Sequence, residues 1–256
     1  MGQRGEEPIL NVDPQQQLIL LEVQQHDLEV DRVRHRRATL AEAVRVSELE
    51  TAQRVLADRI TAVSVEVDDL EMEQRKADND VDLVRQRSAK DRDLLDSGTI
   101  NDAKQLTSLQ HELESLARRQ SDLEDIELEV MERLEEAQSR QGALLAERDQ
   151  LVADLAAAIE ARDAALEALA IEEAQALAAR EASAAGVPTD LLALYDKLRA
   201  DQGGIGAAAL QRGRCEGCRI ELTPVDLGRI REAPADEVLR CEECRRILVR
   251  TPESGL

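Results

Sequence analysis

The chain has 256 residues, 43% of them hydrophobic and 34% charged, with a formal net charge of -21. It has no Phe and no Trp, and Tyr195 is its one aromatic residue, so an ordinary globular core filled by aromatic volume is excluded. What remains for so aliphatic and charged a chain is long helices packed along narrow seams, and no apolar run is long enough to span a membrane.

Residues 1–13 read as a flexible N-terminus. They are polar, with Glu6, Glu7 and Asp13, and lack the apolar core of a signal peptide. Glu6 also breaks the myristoylation pattern that Gly2 would open. The expected compartment is the cytoplasm. Asp13-Pro14-Gln15-Gln16 then marks a helix start: Asp13 suits the cap, Pro14 the first helical position, and Gln16 a capping box. From Gln15 to Ala185 there is no proline, and only Gly98 and Gly142 interrupt. Gly186-Val187-Pro188 reads as a helix stop.

Asp96-Ser97-Gly98-Thr99-Ile100-Asn101 is the one turn-like stretch inside this span. Before it, Ile60, Val63, Val67, Leu70, Ala77, Val81 and Val84 follow a 3-4 apolar spacing, with Gln74 at one seam position. Leu49 and Leu56 extend the seam backwards, and Leu28, Val33, Leu40 and Val44 fit a shifted phase, so a stutter is expected near residues 30–45. After the turn, Leu109, Leu116, Leu123, Val130, Ala137, Leu144 and Leu151 recur at the heptad interval, with Leu106, Leu113, Leu134, Leu155 and Leu169 as companions. The reading is an antiparallel coiled-coil hairpin over residues 14–186, with arms at 14–96 and 101–185 and a tip at 96–101. Each arm has about 80 residues, which at about 1.5 Å per residue gives a rod on the order of 120 Å. Two parallel helices dimerising between chains are the competing arrangement, and the short turn favours the hairpin.

Arg32, Arg34, His35, Arg36 and Arg37 form a basic patch that a fold at Gly98 would bring near Glu160, Asp163 and Glu167, where interhelical ion pairing explains it. At the tip, Asp96, Thr99 and Asp102 stand out as a candidate docking point, although coiled-coil tips are ordinarily polar. His26, His35 and His111 are scattered, and no spacing assembles a catalytic set. Gly203-Gly204-Ile205-Gly206 lacks the Lys-Ser/Thr of a phosphate loop.

Residues 187–204 read as a connecting helix and linker, the helix carrying Leu191, Leu192, Leu194, Tyr195 and Leu198. Residues 205–256 contain all four cysteines of the chain: Cys215, Cys218, Cys241 and Cys244. Two C-x2-C turns can share one tetrahedral ion and fill its shell, which makes a bound Zn2+ structural, with no open position for water or substrate. Two disulfides are the alternative, disfavoured by a reducing compartment. Short strands are expected at Ile205–Leu210, Ile220–Leu222, Val238–Arg240 and Ile247–Val249.

From Leu210 to the end, nine arginines balance nine acidic residues, so the excess negative charge lies in the helices. Arg214, Arg219, Arg229, Arg231, Arg245 and Arg246 are the candidate contacts to a partner or to nucleic acid. Pairing with neighbouring carboxylates is the simpler explanation, because this segment has no net positive charge and no aromatic stacking platform.

Several stretches together resemble a known family. They are Gly98-Thr99-Ile100, the run from Lys104 to Leu113, the run from Leu192 to Arg199, Cys215-Glu216-Gly217-Cys218-Arg219, Ile230-Arg231, and the run from Arg240 to Leu248. The chain is similar to bacterial four-cysteine-type zinc-ribbon proteins with an N-terminal coiled-coil hairpin, and most like their actinobacterial members. The resemblance implies Cys215, Cys218, Cys241 and Cys244 as zinc ligands. It also implies roles for such proteins as chaperones or adaptors for partner proteins, or in nucleic-acid binding. This chain departs from the family at Arg245, where a glycine is common, and at Val249, where an aromatic is common.

Three functions follow. The first is a non-enzymatic adaptor or scaffold mediating protein–protein interaction, monomeric or weakly dimeric through the coiled coil. The second is a nucleic-acid-binding regulator using the ribbon arginines on DNA or RNA. The third is a tip-acting factor on RNA polymerase, for which the rod is longer than needed.

Overall fold

The computed structural model describes residues 10–256. Most of the stretch expected to be a flexible N-terminus, residues 1–9, therefore lies outside the described residues. The chain divides into two compact units, one made of the chain before Val44 together with Glu160–Leu256, the other of Val44–Ile159.

The second unit is a helical hairpin. Helix α2 runs from Ala41 to Asp96 and α3 from Ala103 to Ala184, each extending beyond the unit at its far end. Val67, Leu70, Leu134 and Ala137 form a buried cluster with Val63 against it. Val46, Leu49, Leu56, Ala77, Val81, Leu123, Val130 and Leu144 are buried along the same helices. These are the apolar positions of the heptad pattern, so the seam follows from periodicity. Ion pairs flank it: Arg140 to Glu66 at 2.7 Å, Arg133 to Glu73 at 3.2 Å, and Arg85 to Glu124 at 2.7 Å. At the turn, Gly98 takes φ +66, a left-handed conformation that glycine adopts without strain.

The first unit holds helix α1, Pro14–Ala38, the C-terminal part of α3, and α4, Thr189–Asp201. The first arm is two helices. Thr39 closes α1, its backbone N–H and its hydroxyl both donating to His35 O, and α2 restarts at Ala41. This break lies inside the region where the stutter was expected. Its residue phase agrees with the expectation only in part: Val33 is buried as expected, but its buried companions are Leu20, Val23 and Val30, whereas Leu28 and Val44 are exposed. The basic patch also pairs elsewhere. Arg34 meets Glu173 at 2.7 Å and Arg36 meets Glu172 at 2.6 Å. The register in the second unit is displaced from a fold at Gly98: the pairs Glu73–Arg133 and Glu66–Arg140 are centred on the start of α3, at Ala103.

The remainder of this unit is a four-stranded sheet in the order β2-β1-β4-β3, with β1 Ala207–Gln211, β2 Arg214–Cys215, β3 Leu239–Arg240 and β4 Ile247–Arg250. Strands β1 and β4 are parallel, and the two outer pairings are antiparallel. The expected strand at Ile220–Leu222 is only a single bridge, Arg214 to Glu221. Helix α5, Pro224–Glu232, occupies the excursion between the cysteine pairs. Thr223 caps it by accepting from Asp226 N, and Pro224 sits where its missing N–H costs nothing.

The sheet is buried on both faces. Ala207, Ile247 and Val249 pack with Val12, Leu20, Val23, Leu191, Tyr195 and Leu198. Ala208, Leu210, Leu239 and Leu248 pack with Cys215, Cys241, Leu222 and Ile230. Alternation along β1 and β4 sends successive side chains to opposite cores. Leu10–Val12 docks on the same body, Val12 N donating to Asp236 O at 2.7 Å and Val238 N to Leu10 O at 2.9 Å. Gly206 is the tight point: a Cβ there would lie 2.6 Å from Tyr195 O.

Candidate metal centre

Cys215 ends β2, Cys241 follows β3, and Cys218 and Cys244 each lie three residues later on a turn. The two turns repeat one backbone pattern. Arg219 N donates to Cys215 O at 2.7 Å and Arg245 N to Cys241 O at 2.8 Å, while Cys215 N donates to Ile220 O and Cys241 N to Arg246 O. Arg219 and Arg245, directly after the second cysteine of each turn, take φ 61 and φ 62. Both are left-handed positions that cost a non-glycine residue about 1–2 kcal/mol.

All four sulfurs lie within 4.8 Å of one another. Cys215 Sγ is 3.9 Å from Cys244 Sγ, and Cys218 Sγ is 3.9 Å from Cys241 Sγ. A tetrahedral zinc with Zn–S bonds of about 2.3 Å has sulfur–sulfur edges of about 3.8 Å, whereas a disulfide needs about 2.05 Å. The donor set therefore fits one structural Zn2+, held by four thiolates with no open position. Burial pushes the Cys215 thiol up, opposed by N–H groups of Cys218 and Gly217. Cys241 is raised chiefly by burial as well. For Cys244, burial raises the thiol, but hydrogen bonding by Arg246 together with that of Cys241 and Cys218 outweighs it, and the thiol is lowered. A bound dication supplies the charge that makes four close thiolates tolerable, and its binding folds the turns around it.

The arginines of this segment are largely engaged. Arg214 pairs with Glu216 at 3.1 Å. Arg229 pairs with Glu242, which Arg245 approaches at 3.8 Å. Arg246 is half-buried and donates to Ile205 O and Gln202 O. Arg219 and Arg231 are exposed. At the tip, Asp96 and Thr99 are exposed, and Asp102 Oδ1 accepts from Lys104 N at 2.9 Å, so Asp102 works as the cap of α3.

A second polar cluster escaped the sequence reading. Asp27, 4% exposed, accepts from Tyr195 Oη at 2.6 Å and from Arg180 Nε at 2.9 Å. Arg199 Nε lies 3.6 Å from the same carboxylate, and its Nη2 reaches Asp31 at 2.6 Å. Burial, then the hydrogen bond to Asp27, pushes the Tyr195 hydroxyl far above its ordinary range. Gln24 is buried beside it, donating to Gly204 O and accepting from Gly206 N. The available signal was an aspartate at an apolar seam position of α1, between Val23 and Val30.

A groove of about 1010 Å³ opens on the first unit, lined by Leu10, Leu194, Ile230, Val238 and Leu239 together with charged residues of both signs, among them Asp190, Lys197, Arg229, Glu232, Glu237 and Glu242. No helix among the described residues is long and apolar enough to cross a membrane.

Residues 23–203 match the family model for a CT398-like coiled-coil hairpin domain, and residues 214–248 match a C4-type zinc ribbon domain. An uncharacterised protein of Mycobacterium tuberculosis is 42% identical over 92% of this chain and 95% of its own length. One of Mycobacterium leprae is 32% identical over 90% and 94%. A solved structure from Mycobacterium smegmatis superposes with a TM-score of 0.81 at 40% identity, covering 94% of this chain and all of that one. The structure of CT398 from Chlamydia trachomatis has a TM-score of 0.67 at 15% identity, covering 93% and 98%, a likeness of fold.

Proposed function

The chain belongs to the CT398-like coiled-coil hairpin family, with a C4 zinc ribbon at its C-terminal end, and on that premise we propose that it is a non-enzymatic adaptor that binds a partner protein. The observation that carries this reading is the groove of the first unit. Its lining mixes apolar side chains, Leu10, Leu194, Ile230, Val238 and Leu239 among them, with at least as many charged ones of both signs, and its volume lies at the top of the range that encloses a small ligand, so it suits a peptide segment that carries both kinds of side chain. The exposed apolar side chains Val55, Val65, Met72 and Leu83 recur on one side of α2 and add a second surface of the same kind. Neither matched family description names a reaction. The zinc then has an architectural role, ordering α5 and β3, which wall the groove.

The commitment of Arg214, Arg229 and Arg246 to carboxylates and carbonyls of this chain weighs against a phosphate-binding face. Affinity capture from the native cell, with nuclease treatment and with a Leu194→Glu variant alongside, tests the reading. Proteins retained after nuclease and lost with Leu194→Glu support it. Recovery of nucleic acid alone would overturn it, as would capture unaffected by Leu194→Glu and by an added charge at Met72.

A further inference from the structure

Arg246 stands two residues after the last cysteine, and its side chain turns inward. The guanidinium donates from Nε to Ile205 O at 2.8 Å and from Nη2 to Gln202 O at 2.8 Å, with a longer contact of 3.4 Å from Nη1 to Gly217 O. Gln202 is the C-cap of α4, Ile205 lies in the joint leading to β1, and Gly217 stands between Cys215 and Cys218. The backbone of the same residue closes the second cysteine turn, Arg246 O accepting from Cys241 N at 2.9 Å. The fit is close: a Cβ at Gly217 would lie 2.9 Å from Arg246 Cδ. One residue therefore joins both cysteine turns to the end of a helix, its backbone in the second turn and its guanidinium on the first turn and on α4. It lies beside a centre that carries about two net negative charges when four thiolates hold Zn2+.

We propose that Arg246 is a positioning residue of the metal centre. By bridging the second cysteine turn, to which its backbone belongs, to the first cysteine turn and to the end of α4, it fixes the spacing of the two turns in the folded centre and strengthens their hold on the metal. A planar guanidinium with several fixed donors suits this task, and a lysine reproduces only its charge. Arg250 supplies the contrast. Its guanidinium is equally committed, donating to Ala233 O, Pro234 O, Ala235 O and Glu237 O, but these carbonyls lie in the loop after α5, away from the cysteine turns.

The test uses the full chain and measures Zn2+ and Co2+ affinity by competition with a chromophoric chelator, below the melting temperature of every variant. Arg246→Gln is expected to bind metal about 10–100-fold more weakly and to shift the thiolate-to-cobalt charge-transfer bands. Arg246→Lys should recover part of the affinity. Arg250→Gln should lower the melting temperature while leaving the affinity within about threefold and the cobalt spectrum native. Native affinity and spectrum in Arg246→Gln would overturn the proposal, and so would an equal loss in Arg250→Gln. Should Arg246→Gln fail to fold, Arg246→Lys carries the decision: unchanged affinity and spectrum in that variant refute the bridging role.

Discussion

Asp27 of α1 holds three groups from two other helices, Arg180 of α3 and Tyr195 and Arg199 of α4, in one buried site, and removing them one at a time gives a quantitative test of what locks the helical side of the sheet. In Tyr195→Phe, the ring still fills its place among Leu20, Val23 and Ile247, and only the 2.6 Å hydrogen bond to a charged acceptor is lost. Asp27 keeps Arg180 at 2.9 Å, so the cost is that of one charge-assisted bond, about 1.5–3 kcal/mol. For a protein of this size that corresponds to a fall of about 3–12 °C in melting temperature. Asp27→Ala is expected to cost more than Tyr195→Phe, because it leaves the buried hydroxyl without its acceptor and also removes one partner each from Arg180 and Arg199, which keep Asp196 and Asp31. The double variant should cost less than the sum, since the same bond is lost in both.

Thermal melts followed by far-UV circular dichroism with saturating zinc measure all three. A fall of less than about 1 °C for Tyr195→Phe, or costs that simply add, would refute the reasoning. The pH dependence is an independent check. The hydroxyl is raised above its ordinary value of 10.0, so its contribution to stability is fully present below that pH and declines as pH rises towards the folded value. No Trp and no other Tyr is present, so tyrosinate absorbance reports this residue alone. It should appear only as the protein unfolds in alkali, and ordinary titration near 10 in the folded chain would contradict the buried site.

Chelation of the metal should release the core that contains Cys215, Leu222, Ile230 and Cys241. Hydrogen exchange should then accelerate across residues 214–246 far more than in α1 or α3, and loss of all helical signal on chelation would contradict this separation. Arg219→Gly and Arg245→Gly relieve left-handed backbone at φ 61 and φ 62. After the entropy that glycine adds to the unfolded chain, each should gain about 0.5–1 kcal/mol, read as a higher melting temperature with zinc affinity retained. Gly206→Ala drives a methyl towards Tyr195 O, at 2.6 Å before relaxation, and should cost about 1–3 kcal/mol; equal melting of variant and parent would show that the joint before β1 can yield.

Much of this protein is legible from residue spacing because its main elements are periodic or local. The seam residues Val67, Leu70, Leu134 and Ala137 are buried where the heptads place them, since a helix repeats its face at fixed intervals. The cysteine turns are equally local: two residues between thiols set a turn, and two such turns set a tetrahedral site. Helix α5 was less visible because nine residues carry little periodicity, although Thr223-Pro224 is a start signal. The pairing register was not legible from the position of Gly98: the ion pairs of the second unit are centred on Ala103, beyond the turn that ends at the Asp102 cap.

The sequence by itself thus determined the long helices, the seam of the second unit and the cysteine quartet, because each rests on interactions among near neighbours or on a strict repeat. Only the tertiary structure decided that the sheet is shared between a zinc-side core and a helix-side core. It likewise decided that Asp27 is buried against Tyr195, and that Arg246 and Arg250 spend their donors on carbonyls of the chain. An arginine in a sequence declares its charge but not its acceptors. Those are brought to it from residues distant in the chain, and it is their arrival that turns a candidate docking residue into part of the fold.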